Sequence, residues 1–133
     1  MFSRFLARRA DAVYSALRIV TGVLLALHGS QKFGLFSSHT AAVGSQVWIG
    51  GIIELIGGIL VALGKWTTCA AFVLSGTLAV AYVQFHWKLQ LGKALLPTQN
   101  QGELALLYSL WFLYVACQGA GRWSLDGARG RRV

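Results

Sequence analysis

The sequence predicts an all-α integral membrane protein, a four-helix bundle whose helices run up, down, up and down. Only 12% of its 133 residues are charged, about half the usual share in soluble domains, and the mean hydropathy is +0.58. The apolar residues fall in four runs of about 20, each long enough as a helix to cross the hydrocarbon core of a bilayer. Arginines flank these runs at both ends of the chain, which is typical of membrane orientation signals.

The net charge of +8 does not indicate a nucleic-acid partner, because the positive residues are divided between the two ends of the chain. This distribution predicts membrane lipid as the partner. Four spans use most of the chain and leave no room for a soluble domain. We therefore expect a homo-oligomer or a subunit of a larger membrane complex.

The first part of the chain combines a surface segment with a membrane span. Residues 1–11 are basic and amphipathic, and we expect them to lie on an anionic membrane face. The first span is predicted at residues 12–31, but only residues 19–31 are uncharged, which is too short a segment to cross alone. Arg18 must therefore lie within the inner leaflet, where it either extends toward the aqueous phase or finds a partner.

The other three spans are separated by loops that contain glycine, serine or the single proline. Nine of the twelve lysines and arginines lie in the terminal parts and in the turn after the second span, and three lie on the opposite side. The positive-inside rule therefore places both termini in the cytoplasm. The predicted bounds are 45–64, 67–87 and 102–119 for these spans, 12–120 for the whole bundle and 121–133 for a basic C-terminal tail.

Glu54 is a carboxylate in the middle of the second span. A charged side chain at that depth costs about 2.5 kcal/mol or more, so it must face other helices and find a proton or a partner. Gly51, Gly57 and Gly58 lie on the same helical face and allow a neighbouring backbone to approach. Two interpretations remain open: a structural tie between helices, and a carboxylate that handles protons or binds a ligand.

Several polar side chains are expected to meet Glu54 in the outer leaflet, because helical side chains lean toward the N-terminus of their own helix. Simpler interpretations are a core histidine, an interfacial anchor, an acid favoured by a helix dipole and, for Arg18, a structural charge. No two of the histidines and carboxylates lie at i and i+4 on one helix, so no metal site is predicted. The expected cluster is Glu54, His28, Lys32, His86 and Glu103, with Asn100 and Gln84 as further candidates.

The two cysteines, Cys69 and Cys117, do not form a metal-ligand or CxxC pattern. Both are placed near the reducing cytoplasmic face, where a stable disulfide is disfavoured. We therefore expect small buried side chains and no dithiol chemistry from this chain alone.

The sequence contains several short groups of residues, each of which is a weak family signal by itself. Their order and spacing together are a more specific signal. The groups are Arg18 with Gly22; His28-Gly29 with Lys32-Phe33-Gly34; Glu54 with Gly57-Gly58; Asn100-Gln101-Gly102-Glu103; and the segment from Gly119 to Asp126. Together they resemble the DoxX family of small bacterial four-span membrane proteins, over residues 18–126.

The resemblance implies a four-helix bundle in the bacterial cytoplasmic (inner) membrane. Some members of the family resemble the small subunit of a thiosulfate:quinone oxidoreductase, and others associate with oxidative-stress or thiol-handling enzymes. The positions carried over by motif are Arg18, His28, Lys32, Glu54, Asn100, Glu103 and Asp126. Asp126 falls on the cytoplasmic side, so we expect it to cap a helix or tie the tail.

The most specific functional hypothesis is a membrane subunit of a quinone-linked redox complex, with a quinone as the candidate cofactor. A quinone takes up protons on reduction, which requires proton donors within hydrogen-bond reach. Two alternatives remain: a non-catalytic assembly or anchoring protein, and an oligomeric transporter of small molecules or protons. The sequence leaves open whether the chain is an enzyme. The catalytic candidates are Glu54 and His28; the ligand-binding candidates are Lys32, His86, Glu103, Asn100 and Arg18.

Overall fold

A computed structural model describes residues 2–130, and the side chains of residues 4–128, as a helical protein. Met1 and residues 131–133, at the outer ends of the predicted surface segment and tail, lie outside the described residues. The helices are α1 (Phe2–Ala7), α2 (Ala10–Gln31), α3 (Gln46–Leu63), α4 (Thr67–Ala81), α5 (Glu103–Gln118) and α6 (Leu125–Gly130). A π-helix (Tyr82–Trp87) continues α4, and a short 3-10 helix (Gly92–Leu95) lies in the loop that follows.

Three helical segments within residues 2–130 are long and apolar enough to cross a membrane: Ala10–Gln31, Gln46–Leu63 and Thr67–Trp87. The prediction of a helical protein with membrane-spanning segments is confirmed at this level. The fourth predicted span is shorter than expected. Helix α5 has 16 residues and therefore measures about 24 Å, against a hydrocarbon core of about 30 Å.

Helix α3 has clear signals at both ends. The Ser45 hydroxyl accepts a hydrogen bond from an N–H of the first turn, at 3.2 Å, as an N-cap residue does. Gly64 ends the helix in the left-handed conformation, with φ +68°, and the Lys65 N–H donates to the Leu60 carbonyl at 2.9 Å. These signals explain why the predicted bounds of this span differ from the observed ones by a single residue at each end.

Helices α2 and α3 pack with almost no side chain between them. A Cβ atom on Gly22 would lie 2.7 Å from the backbone nitrogen of Ala62, and one on Gly58 would lie 2.6 Å from the backbone nitrogen of Ala26. Gly29 approaches the backbone of α3 as closely. Because lipid is as apolar as the side chains, such close contact between small residues is a main source of helix association in a bilayer.

The other helices are joined by hydrogen bonds and larger side chains. Ser75 of α4 and Ser109 of α5 each donate a hydrogen bond to the carbonyl of the other, at 2.8 and 3.1 Å. The backbones of α2 and α5 scarcely approach each other, and Trp111 Nε1 bridges them by donating to Thr21 Oγ1 at 2.8 Å. The largest fully buried apolar side chains between the helices are Leu25, Val61, Leu74, Phe112 and Val115.

Arg18 is fully buried and binds backbone carbonyls. Its guanidinium donates to the carbonyl oxygens of Val61 and Ala62, near the end of α3, and to those of Arg122 and Trp123, after α5. The last carbonyls of a helix lack partners within the helix and carry a partial negative charge, so a cation is favoured there. Of the two expected outcomes for Arg18, the structure shows a partner within the protein.

The segment after α5 returns to the turn between α3 and α4. The Asp126 carboxylate accepts hydrogen bonds from the backbone N–H groups of Trp66 and Thr67, at 3.1 and 3.0 Å, and from the Thr67 hydroxyl at 3.1 Å. The Asp126 N–H donates to the Gly64 carbonyl at 2.9 Å. Asp126 therefore caps the N-terminus of α4 from a position 59 residues later in the chain, which confirms its expected role.

Cys69 and Cys117 are exposed on the surface of the chain, so the prediction that they are buried is wrong. On their helices, the neighbouring positions Ala71 and Val115 turn inward instead. A helix that is apolar on all sides does not show in its sequence which face is buried. The two thiols therefore lie on the outer surface of the helices.

The packing of α2 against α3 can be tested with Gly58→Ala. We expect it to lower the free energy of unfolding by about 1–3 kcal/mol, the usual cost of overpacking, because the new methyl group must displace the backbone of α2. Gly76→Ala is the matched control, since a Cβ atom at Gly76 meets nothing within 4 Å. Thermal unfolding of the purified protein in detergent measures both variants. Equal melting temperatures would contradict the close packing of the two helices.

The cap on α4 can be tested with Asp126→Ala. Loss of a helix N-cap costs about 0.5–2 kcal/mol, so we expect faster amide hydrogen exchange in the first turn of α4 and a lower melting temperature. Asp11→Ala is the control, because it removes the same charge from an exposed position in the first turn of α2. Unchanged exchange at Trp66 and Thr67 in the Asp126 variant would show that the cap is not formed.

Candidate functional site

Lys32 and Glu54 form an ion pair between α2 and α3. The Lys32 Nζ and Glu54 Oε2 atoms are 2.7 Å apart, and the Glu54 side chain is only 3% exposed. Two glycines make room for this contact: a Cβ atom on Gly51 would lie 3.1 Å from Lys32 Cβ, and one on Gly29 would lie 3.0 Å from Glu54 Cβ. The expectation that Glu54 faces a neighbouring helix and a basic group is confirmed.

A cavity of about 900 Å³ lies among α2, α3, α4 with its π-helix, and α5. Most of its polar lining comes from the end of the bundle where α2 and the π-helix end and α3 and α5 begin. Toward the middle of the bundle its walls are apolar, and they include Leu25, Ile53 and Leu78. Four of the seven candidate site residues line this cavity: His28, Lys32, Glu54 and His86.

His28 projects from α2 into the cavity and is exposed there. Within the part of the chain that the structure describes, its imidazole makes no hydrogen bond. A neutral imidazole has one donor and one acceptor nitrogen. Both nitrogens of His28 are therefore available to a ligand.

His86 is oriented by the residues around it. Its Nδ1 atom lies 3.2 Å from the carbonyl oxygen of Asn100, and because a carbonyl can only accept, Nδ1 carries the hydrogen. The ring stacks on Tyr82, with the centroids 6.5 Å apart and an interplanar angle of 23°. These contacts leave Nε2 to accept a proton from a group in the cavity, or to donate one when the ring is charged.

Asn100 organises the loop before α5 and does not line the cavity. Its Nδ2 donates to the Ala94 carbonyl at 2.9 Å and to the Tyr82 hydroxyl at 3.3 Å, and its Oδ1 accepts from the Gly102 N–H at 2.8 Å. The side-chain amide is thus engaged within the loop. Asn100 supports the cavity indirectly, through the hydrogen bond that its backbone carbonyl accepts from His86 Nδ1.

Glu103 and Arg18 also lie away from the cavity. Glu103 is exposed in the first turn of α5, where an acidic side chain is favoured by the helix dipole. Arg18 precedes His28 by ten positions, about 15 Å along the helix, and its guanidinium binds carbonyls near the other end of the bundle. The structure therefore does not bring these two residues, or Asn100, together with Glu54.

Three glutamines that were not predicted as site residues also line the cavity: Gln31, Gln46 and Gln101. Gln46 Nε2 donates a hydrogen bond to Gln84 Oε1, which links the start of α3 to the π-helix. Each glutamine lies at the end of an apolar run, but polar residues are common there and the signal is weak. The π-helix that carries His86 has no sequence signal that we recognise, although π-helical turns are frequent at functional sites.

The cavity combines apolar walls with balanced charge. Lys32 and Glu54 offset each other, so the cavity suits a neutral ligand better than an ion. The ammonium and imidazole groups can donate hydrogen bonds, and the carboxylate can accept them or hold a proton. Within residues 2–130, no three His, Cys, Asp or Glu side chains are placed to hold a metal ion. The arrangement fits a small molecule with an apolar body and a few polar atoms.

Comparison with known proteins agrees with the resemblance seen in the sequence. The DoxX family model matches residues 13–87. An uncharacterised protein of Haemophilus influenzae is 44% identical over 115 residues, which cover 83% of this chain and 85% of that protein. No solved structure matches the chain. Since the family model covers more than half of the sequence, this chain belongs to the DoxX family.

Proposed function

We propose that this DoxX protein is a membrane subunit of a quinone-linked redox complex and that its cavity binds the quinone. One observation carries the proposal: a single cavity of about 900 Å³ combines apolar walls with the Lys32–Glu54 pair and two imidazoles. Small-molecule sites have volumes of about 300–1,000 Å³. A quinone is a neutral ring with carbonyl acceptors and an apolar tail, so its parts match the donors and the walls.

We further infer that α2, α3, α4 with its π-helix, and α5 all cross the bacterial cytoplasmic membrane, with both termini in the cytoplasm. The distribution of lysine and arginine supports this orientation. The short α5 would be accommodated by local thinning of the bilayer or by its flanking residues. In this arrangement the polar part of the cavity lies in the outer leaflet, and Arg18 and Asp126 lie toward the cytoplasm.

A bound quinone would supply two-electron, two-proton redox chemistry, and in this proposal the electrons come from a partner subunit. The residues of this chain would orient the ligand and move protons. Lys32 Nζ and the His28 imidazole are the donors available to a carbonyl oxygen. Glu54, in contact with Lys32, and Nε2 of His86 are the groups that would hold a proton and pass it on within the cavity.

A non-catalytic assembly or anchoring subunit is the second candidate function. The ion pair itself favours it, because Lys32 and Glu54 bind each other directly, at 2.7 Å, as the side chains of a structural tie would. In that case the pair would hold α2 against α3, and the cavity would have no ligand. The two functions make different predictions for variants of the pair.

The proton role of Glu54 can be tested with Glu54→Gln. Acid–base catalysis typically contributes about 10²–10⁴-fold, so we expect quinone-dependent electron transfer to fall by about 10²-fold or more while the variant still inserts. Glu103→Gln is the matched control, since it makes the same change at an exposed position outside the cavity. Quinone reduction is measured in membranes that contain the whole complex, at equal abundance of each variant. Unchanged turnover in Glu54→Gln rules out the proposed role.

The double variant Lys32→Met/Glu54→Met separates the two functions. Breaking a buried ion pair on one side costs about 3–5 kcal/mol, whereas replacing both partners with apolar side chains of similar size is often neutral. We therefore expect Glu54→Gln to lower the melting temperature and the double variant to recover it. If the quinone proposal is correct, the purified double variant shows no saturable quinone binding, even though its melting temperature has recovered. If binding and complex assembly also recover, the pair is only a structural tie.

A further inference from the structure

Three of the four seams between neighbouring helices carry direct links beside the cavity. Helices α2 and α3 are in backbone contact and carry the ion pair. Gln46 of α3 is hydrogen-bonded to Gln84 of the π-helix. Ser75 and Ser109 join α4 to α5 through two hydrogen bonds. These links connect the helices on both sides of each of the three seams.

The fourth seam lies between α2 and α5. Within the described residues, the hydrogen bonds across it all lie away from the polar end of the cavity. One of them joins Trp111 to Thr21, and Thr21 precedes His28 by seven positions, about 10 Å along α2. Tyr14 donates to the Gly119 carbonyl at 2.6 Å, still farther in the same direction. Beside His28 the backbones of the two helices stay apart, and the cavity occupies the space between them.

The rim of this seam is apolar and partly exposed. Leu24 and Leu27 of α2 are 48% and 46% exposed, and Leu104 of α5 is 59% exposed. All three also line the cavity. Because these residues belong to apolar helices placed in the bilayer, the medium beyond them is hydrocarbon and not water. The seam therefore connects the cavity with the interior of the membrane.

We infer that the α2–α5 seam is a lateral opening through which the hydrocarbon tail of a membrane-dissolved ligand leaves the cavity. The polar head then lies beside Lys32 and Glu54, and the tail passes between Leu27 and Leu104 into the bilayer. This inference rests on the proposed function and makes it more specific: the ligand is a quinone with a long tail, taken from the membrane. A long isoprenoid tail together with its ring exceeds the cavity in size, so the tail must have an exit.

The test uses the full chain in phosphatidylcholine nanodiscs and two benzoquinones with the same ring, one with a long isoprenoid tail and one without a tail. Leu104→Trp narrows the opening, and Leu107→Trp is the control because Leu107 is 64% exposed on the same helix but does not line the cavity. We expect Leu104→Trp to weaken binding of the tailed quinone about ten-fold, the effect of overpacking a formed contact. Binding of the tail-free ring should change by less than about two-fold, and Leu107→Trp should alter neither.

A second measurement needs no substitution. A quinone with a photoreactive group near the end of its tail should label peptides of α2 and α5, and an excess of unlabelled tailed quinone should suppress the label. Suppressible labelling at Ile56 and Leu60 instead, in the apolar groove between α3 and α4, would overturn the inference.

The outcomes separate the inference from the proposed function. If the unmodified protein binds neither quinone, the proposed function is wrong, and the lateral opening is wrong with it. If the unmodified protein binds both quinones but Leu104→Trp weakens both equally or neither, the cavity binds a quinone and only the lateral opening is wrong.

Discussion

A charge inside the hydrocarbon of a bilayer must be neutralised within the protein, and the structure depends on how this chain does so. Glu54 is paired with Lys32 from the neighbouring helix, and Arg18 is surrounded by carbonyl oxygens at the end of α3. The first solution brings together two opposite charges, and the second uses the partial charges of a helix terminus. Both require α2 to lie almost in backbone contact with α3, which the glycines at positions 22 and 58 allow.

The surroundings of the two charged positions differ in how far their polar groups pair with one another. Around Arg18 most polar groups are paired: the guanidinium binds four carbonyls through its two terminal nitrogens, and Asp126 caps α4, while within the described residues Arg18 Nε has no partner. Around Glu54, by contrast, His28 makes no hydrogen bond to any residue in the described range, and a cavity of about 900 Å³ remains beside it. The unpaired imidazole and the cavity beside it give a ligand donors, acceptors and space at this end of the bundle.

The sequence predicts the helices well and the contacts between them less well. The spans follow from hydropathy and from end signals such as Ser45 and Gly64, which are local properties. The inward position of Glu54 follows from the cost of a charge in lipid. That Lys32 pairs with it, and that Glu103 stays outside, depends on how far each helix is rotated about its axis, which an evenly apolar helix does not reveal. The prediction that Cys69 is buried was wrong for the same reason.

The ion pair does not exclude a ligand, although direct pairing is what a structural tie would show. An ammonium group has three donors and a carboxylate has about four acceptor positions. The single bond between Lys32 and Glu54 uses only one of each, and both side chains also line the cavity. The pair can therefore hold the helices together while presenting further donors and acceptors to the cavity. Because a buried pair adds little net stability, its stronger physical effect is to fix an ammonium and a carboxylate group in one orientation beside the cavity.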